Sequence, residues 1–208
     1  MKKLFVATLL LLAATSHAGQ KAITDSGEEV TLNSDGTWAY ANNAPKAAQK
    51  IETNKSKFEK SKDSTFLLKS TKNNSAFWIN TLNWSFAKTQ GDAAYEYQFQ
   101  LKGKDLYGMA ITEGIEIPLE SLADLALTNA RSAAPDAKII MKEYRVVNGK
   151  KVIYMEIKAT VKGIDFTYRG YYYSNSSGST QLVTYTATNA VAKYKSEIND
   201  FLNGLVTR

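Results

Sequence analysis

The chain has 208 residues, 44% hydrophobic and 22% charged, with a formal net charge of +6 and no cysteine. These values fit a medium globular domain with a small module and exclude wholesale disorder; the lack of cysteine excludes disulfides, thiolate nucleophiles and Cys-ligated zinc or iron–sulfur sites. The one histidine, His17, lies in a segment expected to be removed, which also excludes Ser-His-Asp hydrolysis, Cys-His proteolysis and His-ligated metals in the mature chain.

Residues 1–18 read as a signal peptide. Met1-Lys2-Lys3 is a short basic region, residues 4–14 (LFVATLLLLAA) are apolar, and Ser16 and Ala18 are small residues where signal peptidase reads. Cleavage is expected between Ala18 and Gly19, which makes the mature chain a periplasmic or secreted protein. The apolar run is too short to span a membrane, and no later segment reaches about eighteen apolar residues, so no membrane span is expected.

Residues 19–41 form a small β-hairpin module. Asp25-Ser26-Gly27 and Asn33-Ser34-Asp35-Gly36 are turn clusters between three β-prone runs. Ile23, Val30, Leu32, Trp38 and Tyr40 can share one apolar face. The stretch DSGEEVTLNSDGTWAY resembles a short DGTW hairpin module found near the start of many exported bacterial proteins, and this resemblance implies no chemistry. The acidic residues Asp25, Glu28, Glu29 and Asp35 lack calcium-loop spacing and read as solvated turn carboxylates. Residues 42–64 read as a lysine-rich linker: Lys46, Lys50, Lys55, Lys57, Lys60 and Lys62 outnumber Glu52, Glu59 and Asp63. Without arginines or interleaved aromatics they do not make a nucleic-acid surface.

The main domain spans 65–208. Phe66-Leu67-Leu68 begins a strand, and the aromatic-rich stretch from Trp78 to Phe86 leads into another. Tyr95, Tyr97, Phe99 and Leu101 alternate with polar residues, the signature of a half-buried strand. A further strand covers 106–111. Pro118 opens a helix bearing Leu119, Leu122, Ala123, Leu125 and Ala126 at helical spacing. Four β-runs follow, at 138–147, 150–162, 164–174 and 179–187. A closing helix over about 189–203 carries the stripe Val191, Tyr194, Ile198, Phe201, Leu202 and Leu205.

Two turns set the register. Asn148-Gly149 as a two-residue turn pairs Tyr144 with Ile153 and Ile140 with Ile157; Lys162-Gly163 pairs Ile157 with Tyr168. One face then collects Ile140, Tyr144, Val146, Ile153, Met155, Ile157, Ala159, Val161, Ile164, Phe166, Tyr168 and Tyr172. It is the expected core face, with the closing helix as its cover. The opposite face places Tyr154 beside Tyr171 and Glu156 beside Arg169, with Glu143, Arg145, Lys158 and Thr167 around them. This face reads either as a solvated sheet face with cross-strand ion pairs or as a tyrosine-rimmed binding surface built on Tyr154, Glu156, Arg169 and Tyr171.

The stretch GIDFTYRGYYYSNSSGSTQLVTYTATNAVAKYKSEINDFLNGL, at 163–205, resembles the PsbP-like family. That family includes photosystem II extrinsic proteins, a nuclear Ran-release factor and many exported bacterial proteins. The resemblance implies an α+β fold, an antiparallel sheet flanked by helices as an α/β/α sandwich, here preceded by the hairpin module. Helices on both faces require that residues 50–62 or the 118–131 helix cover the polar face. Family members act mainly in binding or assembly, and no shared active site carries over. No catalytic motif is present, and the arginines and lysine beside Glu143, Glu156 and Asp165 disfavour a general acid poised near neutrality. The expected function is therefore non-catalytic binding or assembly in the bacterial cell envelope, without cofactor or metal, the partner being an envelope protein or a small ligand and not nucleic acid. The alternative is a carboxylate-based envelope hydrolase, or a small-ligand-binding protein, using the polar sheet face.

Overall fold

The computed structural model describes residues 20–23, 29–34, 36–40, 51–91 and 93–208, in two units divided between Gln49 and Lys50. Residues 1–18, read from the sequence as a signal peptide, Gly19, and the acidic residues Asp25, Glu28 and Asp35 lie outside the described residues, as does the side chain of Glu29.

In the first unit, β1 (Gln20–Ile23), β2 (Glu29–Leu32) and β3 (Trp38–Tyr40) form an antiparallel meander. Its second turn closes through the Asn33 N–H on the Thr37 carbonyl, and Gly36 takes a φ of +81° that a side chain would resist. Leu32 pairs with Trp38 and Val30 with Tyr40. Val30 is buried, while Leu32 and Trp38 are exposed; three short strands have too little area to enclose both sides of a sheet.

The second unit contains β4 (Phe66–Lys69), β5 (Ser75–Ile79), β6 (Trp84–Lys88), β7 (Tyr97–Leu101), β8 (Tyr107–Glu113), α1 (Leu119–Ala133), β9 (Lys138–Val147), β10 (Lys150–Val161), β11 (Ile164–Asn175), β12 (Gly178–Ala187), α2 (Lys195–Leu202) and β13 (Leu205–Thr207). Seven strands make one antiparallel sheet in the order β6-β7-β8-β12-β11-β10-β9, and β13-β5-β4 make a second. Period-two patterning explains β7, where Tyr97, Phe99 and Leu101 are buried and Gln98 and Gln100 exposed. The aromatic run after Trp78 divides into β5 and β6 at the Asn80–Asn83 turn, where the Trp84 N–H reaches the Asn80 carbonyl. At this turn the chain passes from the small sheet to the large one.

The expected registers hold over most of the meander. Asn148 and Gly149 have φ of 47° and 79°, and Lys162 and Gly163 have 51° and 79°, the double positive φ of a type I′ turn. Tyr154 pairs with Tyr171 and Glu156 with Arg169. One pairing differs. A bulge between Glu156 and Ile157 sets Ile157 opposite Ile139, and Ile140 is left 45% exposed. The extra residue lies unpaired on the bulged strand, which flips the alternation beyond it.

The α/β/α sandwich is not what forms. The unit is mostly β, with two α-helices of 15 and 8 residues among the described residues. The helix α1 lies on the face carrying Ile153, Met155, Ile157, Ala159 and Tyr172, inserting Leu122, Ala123 and Ala126. The opposite face shares a core with the small sheet, through Phe77 and Ile79, and with α2, through Ile198, Phe201 and Leu202. The closing helix therefore covers the face opposite the one expected of it, and α1 covers the other. The expected helix to 203 is also shorter: Gly204 ends it, and Leu205–Thr207 turns into an edge strand on β5. A Cβ at Gly204 would stand 2.2 Å from the Trp78 carbonyl oxygen, so this crossing requires glycine.

Residues 51–64, read from composition as part of a linker, run along the edge of the large sheet. Thr53 and Phe58 make parallel bridges to Tyr144 and Val147. The Asn54 N–H donates to the Tyr144 carbonyl and the Asn148 N–H to the Phe58 carbonyl. Ile51 and Phe58, the two apolar residues in this lysine-rich stretch, pack against the two cores. Two anchors and a strand edge suffice to order a segment whose composition is polar.

Candidate functional site

The four residues proposed as a surface come together, but under cover. Tyr154 is 3% exposed and Tyr171 1%, with their rings edge to face at 5.8 Å. The Tyr154 hydroxyl donates to Glu156 Oε1 at 2.6 Å, and Arg169 Nη2 donates to Glu156 Oε2 at 3.2 Å. Arg169 Nε is enclosed without a partner among the described residues. The network extends to Arg145, whose guanidinium lies 3.5 Å from the Tyr154 ring centroid and 4.5 Å from that of Phe58. Arg145 Nε donates to Glu143 at 2.6 Å, Nη1 reaches the Tyr171 hydroxyl, and that hydroxyl donates to Asn203 Oδ1. Burial opposes the charge on Arg145, but Tyr171 and Glu143 outweigh it and hold its pKa above the ordinary value. Burial, reinforced by the Glu156 acceptor, pushes the Tyr154 phenol up. These are fixed structural pairings. Where an open polar face was expected, Tyr154, Tyr171 and Arg145 form a buried charged–aromatic layer beneath Phe58 and Asn203, with Glu156 and Arg169 half-buried at its edge.

A second polar node went unnoticed in the sequence. Glu96, just before β7, is 4% exposed. It accepts from Ser70 Oγ at 2.7 Å, from the Thr71 N–H at 2.8 Å and hydroxyl at 2.7 Å, and from Thr112. Burial raises its pKa, yet these donors together bring it below the ordinary carboxylate value. The node ties the end of β4 to β7 and β8, and alternation offered no signal for it because the acceptor and its donors come from three separate segments.

The accessible feature of this unit is an apolar cavity under α1. Its volume is about 360 Å³. Ile157, Ala159, Tyr172, Gln181 and Val183 form the floor; Met109, Ile111, Val161 and Tyr168 form the walls; Ala126, Ala130 and Ala134 roof it from the helix. Asn129, Ala133 and Ala94 lie toward the outside. The roof is low in bulk because α1 places alanine where a core helix commonly has leucine. Tyr168 continues into a ladder across β11, β12 and β8: its ring stacks on Tyr185 at 5.6 Å, and Tyr185 stacks on Tyr107 at 5.5 Å. Burial alone pushes the Tyr172 and Tyr168 phenols up. A larger groove of about 610 Å³, lined by residues 53–60 with Val146, Asn148 and Gly149, is shallow and open to solvent. The alanine spacing at 123, 126, 130 and 134 was visible in the sequence and marked the space; without the sheet register, nothing said what it faced.

Among the described residues no group of three or more His, Asp or Glu is placed to hold a metal ion, and no helix is long and apolar enough to cross a membrane.

No family model and no curated protein matches the sequence. Solved structures do. The fold is similar to the solution structure of the cyanobacterial PsbP protein, CyanoP, from Synechocystis, at 15% identity and a TM-score of 0.52, covering 69% of this chain and 92% of that one. Weaker likenesses are a Pseudomonas aeruginosa protein of unknown function, PA94, at 12% identity and a TM-score of 0.44, covering 60% of this chain and 83% of that one, and a Bacteroides thetaiotaomicron protein at 9% and 0.41, covering 65% and 45%. The main unit thus has a PsbP-like fold at low sequence identity. The resemblance of residues 25–40 to a DGTW module gains no support from these comparisons.

Proposed function

We propose that this chain is an exported protein of the bacterial cell envelope that acts by binding rather than by catalysis. The observation that carries the reading is how the ionisable groups are used. Glu143, Arg145, Glu156, Arg169 and Glu96 are each committed to fixed partners inside the fold, while the opening under α1 is lined almost wholly by apolar side chains. Acid–base chemistry needs a group near its working pKa within reach of substrate; in these networks the shifts of Arg145, Tyr154 and Glu96 run away from neutrality. Export rests on the basic, apolar and small-residue order of residues 1–18. A hydrolase on the polar sheet face has no support, since Phe58, Asn203 and the small sheet cover that face.

The test is to express the gene in its native host, fractionate the cells, and determine the intact mass of the chain and what it crosslinks to. The expected result is a mature protein starting at Gly19 in the envelope fraction, crosslinked reproducibly to a defined partner or carrying a co-purifying small molecule. A cytoplasmic chain retaining Met1 would overturn export. Turnover of envelope substrates, lost when Glu156 is replaced by Gln, would overturn the binding reading.

A further inference from the structure

The cavity under α1 is larger than a packing defect. Protein interiors are close-packed, and voids beyond the size of a water molecule are few. At about 30 Å³ per water-sized group, 360 Å³ holds roughly a dozen non-hydrogen atoms. The space is maintained from both sides. On α1, Ala126, Ala130 and Ala134 leave the roof bare. On the sheet, Gly170 lacks a side chain that would otherwise stand 2.9 Å from Val183 and 3.4 Å from the Tyr172 ring, so that ring leans across the strand toward the cavity.

Tyr172 lines the cavity and is 3% exposed, and its hydroxyl makes no hydrogen bond to another described residue, so it can pair with an oxygen on a bound molecule. Among the described residues no lysine, arginine or carboxylate lines the space, so a charged group entering it would lose its hydration without compensation from them. Tyr168, Gln181 and Asn129 are the remaining polar side chains among the described residues, with Tyr168 in the wall, Gln181 on the floor and Asn129 outside.

We propose that this cavity is a binding site for a neutral, mainly hydrocarbon molecule of about a dozen non-hydrogen atoms bearing one oxygen, such as a medium-chain alcohol, which is seated against Met109, Ile157 and Val183 and hydrogen-bonds the Tyr172 hydroxyl. The proposal deepens the binding reading by naming the ligand class, and the two fail separately: the fractionation and crosslinking above do not depend on this cavity, and the titrations below do not depend on export.

The experiment uses the purified mature chain, the neutral fluorophore 1-naphthylamine, which matches the size of the cavity, as reporter, and 1-decanol and decanoate as competitors. The wild type should bind the reporter, and 1-decanol should displace it at least about tenfold more effectively than decanoate at pH 8, because the cavity has no cation to pair a carboxylate. Ala130→Leu fills the roof from a half-buried position. It should weaken 1-decanol binding about tenfold or more while the thermal midpoint holds or rises. Tyr172→Phe should keep reporter binding and weaken 1-decanol several-fold, as expected for the loss of one hydrogen bond. The proposal is overturned if the folded wild type binds neither reporter nor alcohol, if decanoate competes as well as decanol, or if Ala130→Leu binds like the wild type. If Ala130→Leu fails to fold, Tyr172→Phe decides alone: unchanged decanol affinity would remove the assigned hydrogen bond and with it the site.

Discussion

Arg145 shows how much of this protein's polar chemistry is spent on its own architecture. Its guanidinium is clamped between Phe58 and Tyr154 and paired with Glu143 and Tyr171, in a layer where desolvated cation–π contacts gain strength. Tyr171 therefore behaves as a core residue. Tyr171→Ala should cost about 3–5 kcal/mol, comparable to Ile157→Ala on the opposite face at about 2–5 kcal/mol. Parallel denaturant titrations check this, and a Tyr171→Ala cost under about 1 kcal/mol would mean the layer is open to solvent. Glu96 gives a test in pH. Its folded pKa lies below its unfolded value near 4.5, so it stabilises the fold fully above that value and the contribution is lost as pH falls through the folded pKa. Glu96→Gln should cost about 1–3 kcal/mol at pH 7 by facing an amide N–H₂ toward donors. It should also flatten the decline of stability below pH 4.5, measured by thermal melts from pH 7 to pH 3. A parallel decline in wild type and variant would remove Glu96 as the sensor.

At the scale of elements, what could be read from the chain was whatever the chain specifies locally. The type I′ turns at Asn148-Gly149 and Lys162-Gly163 set the meander register because positive φ at both positions is written into residue type. Pro118 placed the start of α1 within a residue. The misreadings are all matters of what lies against what. Glu156, Arg169 and Thr167 read as a solvated face, yet Thr167 is buried, and so are Thr180, Thr184 and Thr186 on the neighbouring β12, with Thr184 and Thr186 bonded to the carbonyls of Arg169 and Asp105. Hydroxyls that satisfy themselves on neighbouring backbone can be buried on a sheet face that composition marks as polar. Likewise the lysines of 51–62 masked two anchors. Phe58→Ala should loosen that segment, cost about 2–4 kcal/mol, and expose Lys55, Lys57 and Lys60 to trypsin before any site in β9–β12. Limited proteolysis with mass mapping checks this; an unchanged digestion pattern would show that the segment is held by its bridges alone.

For the whole molecule, the fold carries two unequal faces. One is sealed by the small sheet, α2 and residues 51–64 over a charged–aromatic layer; the other is roofed by an alanine-faced helix that leaves a cavity. The similarity to CyanoP bears on the fold, and the cavity is argued from this chain's own side chains. Alanine in α1 announces only that bulk is missing, and the identity of the floor required Tyr172, Val183 and Ile157 to be brought into register from three strands. That is why the candidate site was not legible in the sequence while most of the β-framework was. The central claim is that this cavity is where the protein binds. The most direct measurement is a methyl-region NMR titration of the ¹³C-labelled mature chain with 1-decanol. The account expects the shifts to concentrate on Met109, Ile111, Ile157, Val161 and Val183 and to saturate at one equivalent. Shifts gathered instead on Val146 beside the 53–60 groove, or spread without saturation over exposed residues such as Leu82 and Ile164, would contradict it.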